Sequence, residues 1–349
     1  MRLGLAATLL VAFACGPAAT RTEAPTAPSL ATNTPAATVP PPSPGTSPRP
    51  LEFVMQEFSV PRGQGPHDVA PARDGGVWYT AQLSGELGWL DPKTGATKMT
   101  RLGSGSAPHG VIVGPDGAPW ITDGGLNAIV RVDPTTSEVK RFPLPGFRSN
   151  ASLNTATFDR DGTLWFTGQN GVLGLLDPQT GKVGVFDAPR GPGPYGIATC
   201  PDGEVYYASL AGSYVGRVVK ETGETIVLVP PTANQGARRV WCDSKSHVWV
   251  AEWNAGQLAM YDPTSQSWRE WRMFGPRPMA YAIYVDEMDT VWVTEWGENA
   301  IVHFDPATQA MVAHAHPQPN ANVRQLLGRP GEVWGAMSGQ DKLVVARAP

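Results

Sequence analysis

The sequence predicts an all-β protein: a seven-bladed β-propeller in which an N-terminal strand closes the last blade. Three observations carry this. An aromatic-centred phrase recurs with a period near 42 residues. Turn signals punctuate every copy at corresponding places. The strand that the final copy lacks is found at the other end of the repeats. Composition agrees, since 39 Gly, 35 Pro and 12 Trp in 349 residues mean many turns and many large strand-forming aromatics.

The N-terminus is set aside before fold reasoning. Leu3–Ala14 is a short apolar run behind Arg2 and is too short to span a bilayer. It ends in "AFAC". Ala12-Phe13-Ala14 fits a secretory cleavage site, and the same letters with Cys15 fit a lipobox whose cysteine is lipidated. The following stretch, 16–50, is almost entirely Ala, Thr, Pro and Ser, and it cannot offset its chain entropy by burial. Such a tether favours the lipid-anchored reading. The expected organisation is therefore a leader over 1–15, a tether over 16–50 and a propeller over 51–349, exported and held to the membrane by lipid alone. A net charge of −4 without any basic block argues against nucleic acid as partner. A monomer is expected.

Gln56–Pro61, "QEFSVP", opens the folded part and matches the closing strand of an internal copy, "KRFPLP" (Lys140–Pro145). The copies are anchored by Trp78, Trp120, Trp165, Tyr206, Trp249, Trp292 and Trp334, spaced 42, 45, 41, 43, 43 and 42 apart. Such a period marks a propeller whose blades are four-stranded sheets. Each copy begins with a short strand, from "GPHDVA" to "VRQLL". A hairpin turn follows, Asp-Gly at residues 74, 116, 161 and 202, where glycine supplies positive φ. The anchor strand comes next, and a third strand runs into Asp-Pro at residues 91, 133, 177, 262 and 305. The seventh copy stops before its fourth strand, so Gln56–Pro61 should supply it and remove the exposed sheet edges. Cys200 and Cys242 occupy corresponding places in neighbouring copies. Because inner strands of different blades should diverge, two buried unpaired thiols are expected.

The phrases "APHGVIVGPDGAPWITD", "GPYGIATCPDGEVYYAS" and "VWVTEWGENAIVHF" resemble the virginiamycin B (streptogramin B) lyase family from about Glu52 to the C-terminus. The resemblance implies a seven-bladed propeller that opens a cyclic depsipeptide by elimination with magnesium and a His base. At the four positions where that family carries its chemistry, this chain has Tyr281, Asn322, Arg324 and Ser338. Arginine is no base near neutral pH, and this set makes a poor shell for a hard cation. The cofactor is therefore open, with magnesium implied only by the resemblance.

The start of each first strand and the end of each second strand should meet one mouth of the central channel. The first set is His67, His109, Asn154, Tyr195, Arg238, Tyr281 and Arg324. The second is Ala81, Asp123, Gly168, Ser209, Glu252, Glu295 and Met337, with Trp253 and Trp296 as flat apolar walls behind the two glutamates. His109 with Asp123 is the candidate general-base pair; the alternative is a structural hydrogen bond. Arg238 and Glu252 share a blade and are expected to neutralise one another. Glu252 with Glu295 could hold a cation. Arg324, with no carboxylate in its own blade, is free for an anionic or carbonyl-bearing ligand. Three readings stand: a lyase of the resembled kind, a lactonase-like metal-dependent hydrolase, and a non-catalytic propeller that binds a small molecule or peptide at the channel mouth.

Overall fold

The structure, a computed structural model, describes residues 53–347. These residues form seven four-stranded antiparallel sheets and no helix. Six sheets take four consecutive strands in chain order, the inner one first. The seventh joins the last three strands to Val54–Ser59, which pairs antiparallel with Lys342–Arg347 from Val54 opposite Arg347 to Ser59 opposite Lys342. An ion pair between Lys342 and Glu57 (2.7 Å) crosses this seam. The ring closes as the matching of "QEFSVP" to "KRFPLP" predicts, so the last blade keeps no unpaired edge at that position.

The anchor aromatics lie between blades and are no more than 8% exposed. Their indole N–H groups are not stranded there, because Trp165, Trp249 and Trp292 donate to the aspartates of their own hairpin turns (Asp159, Asp243 and Asp286) at 2.8–3.0 Å. The Asp-Pro aspartates do turn work: Asp91, Asp133 and Asp177 each accept the backbone N–H two residues on at 2.9 Å.

Seven inner strands surround the axis: Pro66–Pro71, Pro108–Val113, Leu153–Phe158, Pro194–Thr199, Ala237–Cys242, Ala280–Val285 and Val323–Arg329. Each slips register against its neighbour near its start, between Pro66 and Val69 in the first blade and at the equivalent step in all the others. A bulge re-aims side chains that strict alternation would send to opposite faces. The expected leader and tether, with Cys15, lie outside the described residues.

The expectation of two free thiols is corrected. Cys200 and Cys242 form a disulfide with their Cα atoms 5.2 Å apart. Inner strands of adjacent blades stay side by side along their length, as the 3.1 Å contact between the Thr157 and Thr199 hydroxyls shows one blade earlier. The divergence that was expected develops only further out along the blades.

Candidate functional site

The second residue of each inner strand faces the axis, and these residues touch. The His67 and His109 rings pack 3.8 Å apart, and His109 Nε2 lies 3.2 Å from the Asn154 amide. Across the channel, Tyr195 of the fourth blade meets Tyr281 of the sixth, hydroxyl to hydroxyl, at 2.9 Å. Arg238 donates to the Tyr195 hydroxyl (2.7 Å) and Arg324 to that of Tyr281 (3.4 Å). A repeat-derived threonine holds several of these residues in place. Thr80 donates to the His109 carbonyl at 2.8 Å, Thr122 to that of Asn154 at 2.5 Å, and Thr167 to that of Tyr195.

The bulges add residues that sequence reasoning missed. Asp68 and Arg239, each next to a predicted mouth residue, form an ion pair across the axis at 3.0 Å, with Arg239 also donating to Thr155 Oγ1 (3.2 Å). Both partners are almost fully buried. Gln325 is buried beside them and accepts the Val69 N–H at 2.9 Å. The adjacent pairs His67-Asp68 and Arg238-Arg239 were the available signal, because neighbouring polar residues in an otherwise apolar inner strand need a bulge to share one side.

The predicted His109–Asp123 pair does not form. Asp123 instead accepts from Ser106 Oγ (2.5 Å) and from the N–H groups of Ala107 and Leu126 (both 2.9 Å), tying a loop. Glu295 does the same with the N–H groups of Met279, Gly297 and Glu298 (2.5–2.9 Å). These carboxylates end apolar strands because loop donors wait for them there, three backbone N–H groups for Glu295 and two with the Ser106 hydroxyl for Asp123. Of the two mouth histidines, the one with a carboxylate is His67, whose Nδ1 is 2.8 Å from Asp68.

Arg238 and Glu252 do not pair either. Glu252 is fully buried, bonded to Gln257 (2.6 Å), with Oε1 lacking a hydrogen-bond partner among the described residues. Burial pushes its carboxyl up to about 8, with the Gln257 hydrogen bond opposing and Glu270 adding to the rise. It therefore shares no cation site with Glu295. Arg238 lies instead among aromatic faces, 3.7 Å from the Tyr281 ring centroid, 4.3 Å from Tyr195 and 4.9 Å from Trp253. Tyr281 stacks on Trp296 at 4.4 Å, and Arg324 lies 5.0 Å from the same indole.

The four positions that the resemblance singles out converge. Arg324 Nε donates to Ser338 Oγ (2.8 Å), Ser338 donates to the Asn322 carbonyl (3.1 Å), and Arg324 reaches Tyr281. This set does not fit magnesium: it offers no carboxylate, and a guanidinium stands in the middle of it. His67, Asp68 and His109 present a metal-type donor set within 4.8 Å of one another. Both imidazoles are held neutral, their protonation disfavoured by burial in each case. Arg239, already bonded to Asp68, competes with any cation for that carboxylate.

Charge dominates this end of the channel. Among the described residues, Asp68 is the only carboxylate bonded to Arg238, Arg239 or Arg324, and it is used by Arg239. At the opposite end of the inner strands a cavity of about 320 Å³ is walled by Ile112, Phe158, Trp241 and Leu327, with Arg239 and Gln325 among its lining. The axial residues thus separate a polar, cationic mouth from an apolar one.

Comparison with known proteins places this geometry. The family model for the virginiamycin B lyase family matches residues 53–345. Virginiamycin B lyase from Staphylococcus aureus superposes with a TM-score of 0.79 at 21% identity, over 85% of this chain and 100% of that one. A streptogramin B lyase structure matches at 0.77 and 22%, over 84% and 97%. The extracellular domain of a hybrid two-component system from B. thetaiotaomicron matches at 0.68 and 14%, over 85% of this chain and 40% of that one. No curated protein sequence matches the chain. With the family model spanning nearly every described residue, the chain belongs to the virginiamycin B lyase family.

Proposed function

We propose that this is an exported, lipid-anchored propeller whose rearranged axial mouth binds a carboxylate- or carbonyl-bearing small molecule or peptide. The carrying observation is the pair Arg238 and Arg324, two guanidiniums with no carboxylate partner among the described residues. Trp253 and Trp296 flank them and suit an apolar or aromatic portion of the ligand. Uncompensated charge on two half-buried guanidiniums is unfavourable, and an anion relieves it.

Export is supported by the leader-like N-terminus and by the Cys200–Cys242 disulfide, a bond kept in oxidising compartments. It is also in line with the extracellular domains among structural neighbours. Replacing Cys15 by alanine should move the protein from the membrane fraction to the soluble one. Wild type found free, cleaved and without lipid by mass spectrometry would count against the anchor.

Ligand binding is tested by thermal shift with N-acetylglycine and its neutral amide. The carboxylate should stabilise wild type, less at high salt, and should not stabilise the Arg238→Met/Arg324→Met double variant. Equal shifts from acid and amide, in both proteins, would reject the reading. A catalytic version is favoured by one feature, the carboxylate-oriented His67 beside a neutral His109.

A further inference from the structure

We propose that the apolar mouth, at the opposite end of the channel from the arginine cluster, is a second binding site, for a small neutral molecule with an apolar body and a carbonyl end. The cavity there holds about 320 Å³, within the range of small-molecule pockets, and all seven inner strands contribute to its lining. Ile112, Val113, Phe158, Trp241 and Leu327 are its half-buried apolar walls, drawn from four blades. Neighbouring rings fix two of these walls: Phe158 lies edge-on to Trp120 (5.6 Å), and Trp241 packs against Tyr284 (5.2 Å). The walls are therefore formed before any guest arrives, and a guest that covers them removes apolar surface from water.

The polar groups of the lining set the polar end of that guest. Thr155 and Thr157 also line the cavity, but their hydroxyls are engaged, Thr155 Oγ1 with the Asn154 side chain (2.8 Å) and Thr157 Oγ1 with Thr199 (3.1 Å). Gln325 and Arg239 remain, 5% and 3% exposed. Gln325 accepts the Val69 N–H through Oε1 (2.9 Å), so its amide NH2 is the end it offers a guest. A guanidinium offers donors alone. Both groups call for an acceptor. Water can meet these donors, but it leaves the apolar walls wet, whereas an apolar molecule with a carbonyl serves both. Charge makes that acceptor a neutral one. Among the described residues, Arg239 is the one charged group of the lining, and Asp68 already answers it at 3.0 Å. A carboxylate entering here would lose its water without gaining a free counter-charge, while a ketone, ester or amide oxygen loses much less. The two mouths therefore select differently, the arginine cluster an anion and the apolar cavity a neutral carbonyl compound.

Three probes sharing one phenylethyl body test this by ligand-observed NMR titration of the full chain: benzylacetone with a ketone end, hydrocinnamate with a carboxylate end, and ethylbenzene with neither. Benzylacetone should bind wild type saturably, and more tightly than hydrocinnamate by roughly tenfold. Ile112→Trp, which fills the cavity, should abolish that binding; Leu327→Trp serves if the first variant does not fold by circular dichroism. Gln325→Met removes the amide donor and should weaken benzylacetone on the order of tenfold while leaving ethylbenzene unchanged or tighter. Should it fail to fold, Gln325→Glu keeps an oxygen for the Val69 N–H and removes the same donor. The Arg238→Met/Arg324→Met double variant should bind benzylacetone as wild type does; loss of binding there would place the ketone in the axial mouth and overturn the proposal. No saturable benzylacetone binding at millimolar concentration, or undiminished binding to the cavity-filled variant, also overturns it. Equal affinity for ketone and carboxylate overturns the neutral end, and equal losses of benzylacetone and ethylbenzene in the Gln325 variant overturn the donor role.

Discussion

Replacing Glu252 by glutamine removes a buried ionisable group while keeping its shape and an oxygen for the Gln257 amide. The folded protein holds this carboxyl protonated up to about 8, against 4.5 for the unperturbed group. Below pH 4.5 both folded and unfolded chains are protonated at this site, and it contributes no pH dependence. Between the two values the unfolded chain ionises and the folded one does not. The folded state then binds more protons, and stability falls as pH rises, by about 1.4 kcal/mol per pH unit. Above about 8 the cost is complete at roughly 5 kcal/mol, an upper bound because water and relaxation soften it. Glutamine has no such dependence. The variant should melt close to wild type near pH 4 and on the order of 10 °C higher near pH 9. Differential scanning calorimetry of both proteins across that range measures the difference directly. A melting difference that stays constant with pH, or that favours wild type increasingly as pH rises, would refute the assignment of Glu252 as a buried neutral acid.

Other outcomes follow from the same structure. Deleting residues 51–61 removes the partner of Lys342–Arg347 along its whole length and should cause aggregation or a large fall in melting temperature; an unchanged melting curve would contradict the closure. Cys200→Ser/Cys242→Ser should cost about 2–4 kcal/mol, read by denaturant melts with and without reductant, because the bond closes a loop spanning 42 residues. His109 is kept neutral in the fold but protonates in the unfolded chain below its ordinary value, so it weakens the protein as pH falls. His109→Asn should flatten the loss of stability between about pH 7 and pH 5, and a parallel curve would speak against a buried neutral imidazole. With Tyr281, Asn322, Arg324 and Ser338 converging without a carboxylate, magnesium should not support streptogramin B linearisation, and a magnesium-dependent rate matching that of a family lyase would show the site has been misplaced.

The sequence by itself determined the period, the blade grammar, the ring closure and the seven residues around the axis. All of these rest on local chemistry repeated in register: an indole at fixed spacing, glycine or aspartate where a turn needs it, and a strand missing at one end and present at the other. A repeat puts equivalent positions at equivalent heights, so His67 and Arg324 could be assigned to one mouth without knowing what either touches. Which side chains meet across that mouth was decided only by the tertiary structure. Asp68 and Arg239 lie 171 residues apart and pair because a bulge in each strand turns them inward. Asp123, which blade membership alone would assign to His109, is taken by three donors of its own loop. Cys200 and Cys242 bond because inner strands run together near the axis, a distance that spacing along the chain does not encode. Periodicity carries the position of a residue in its blade, while pairing depends on the small rotations and register slips that close seven blades into a ring.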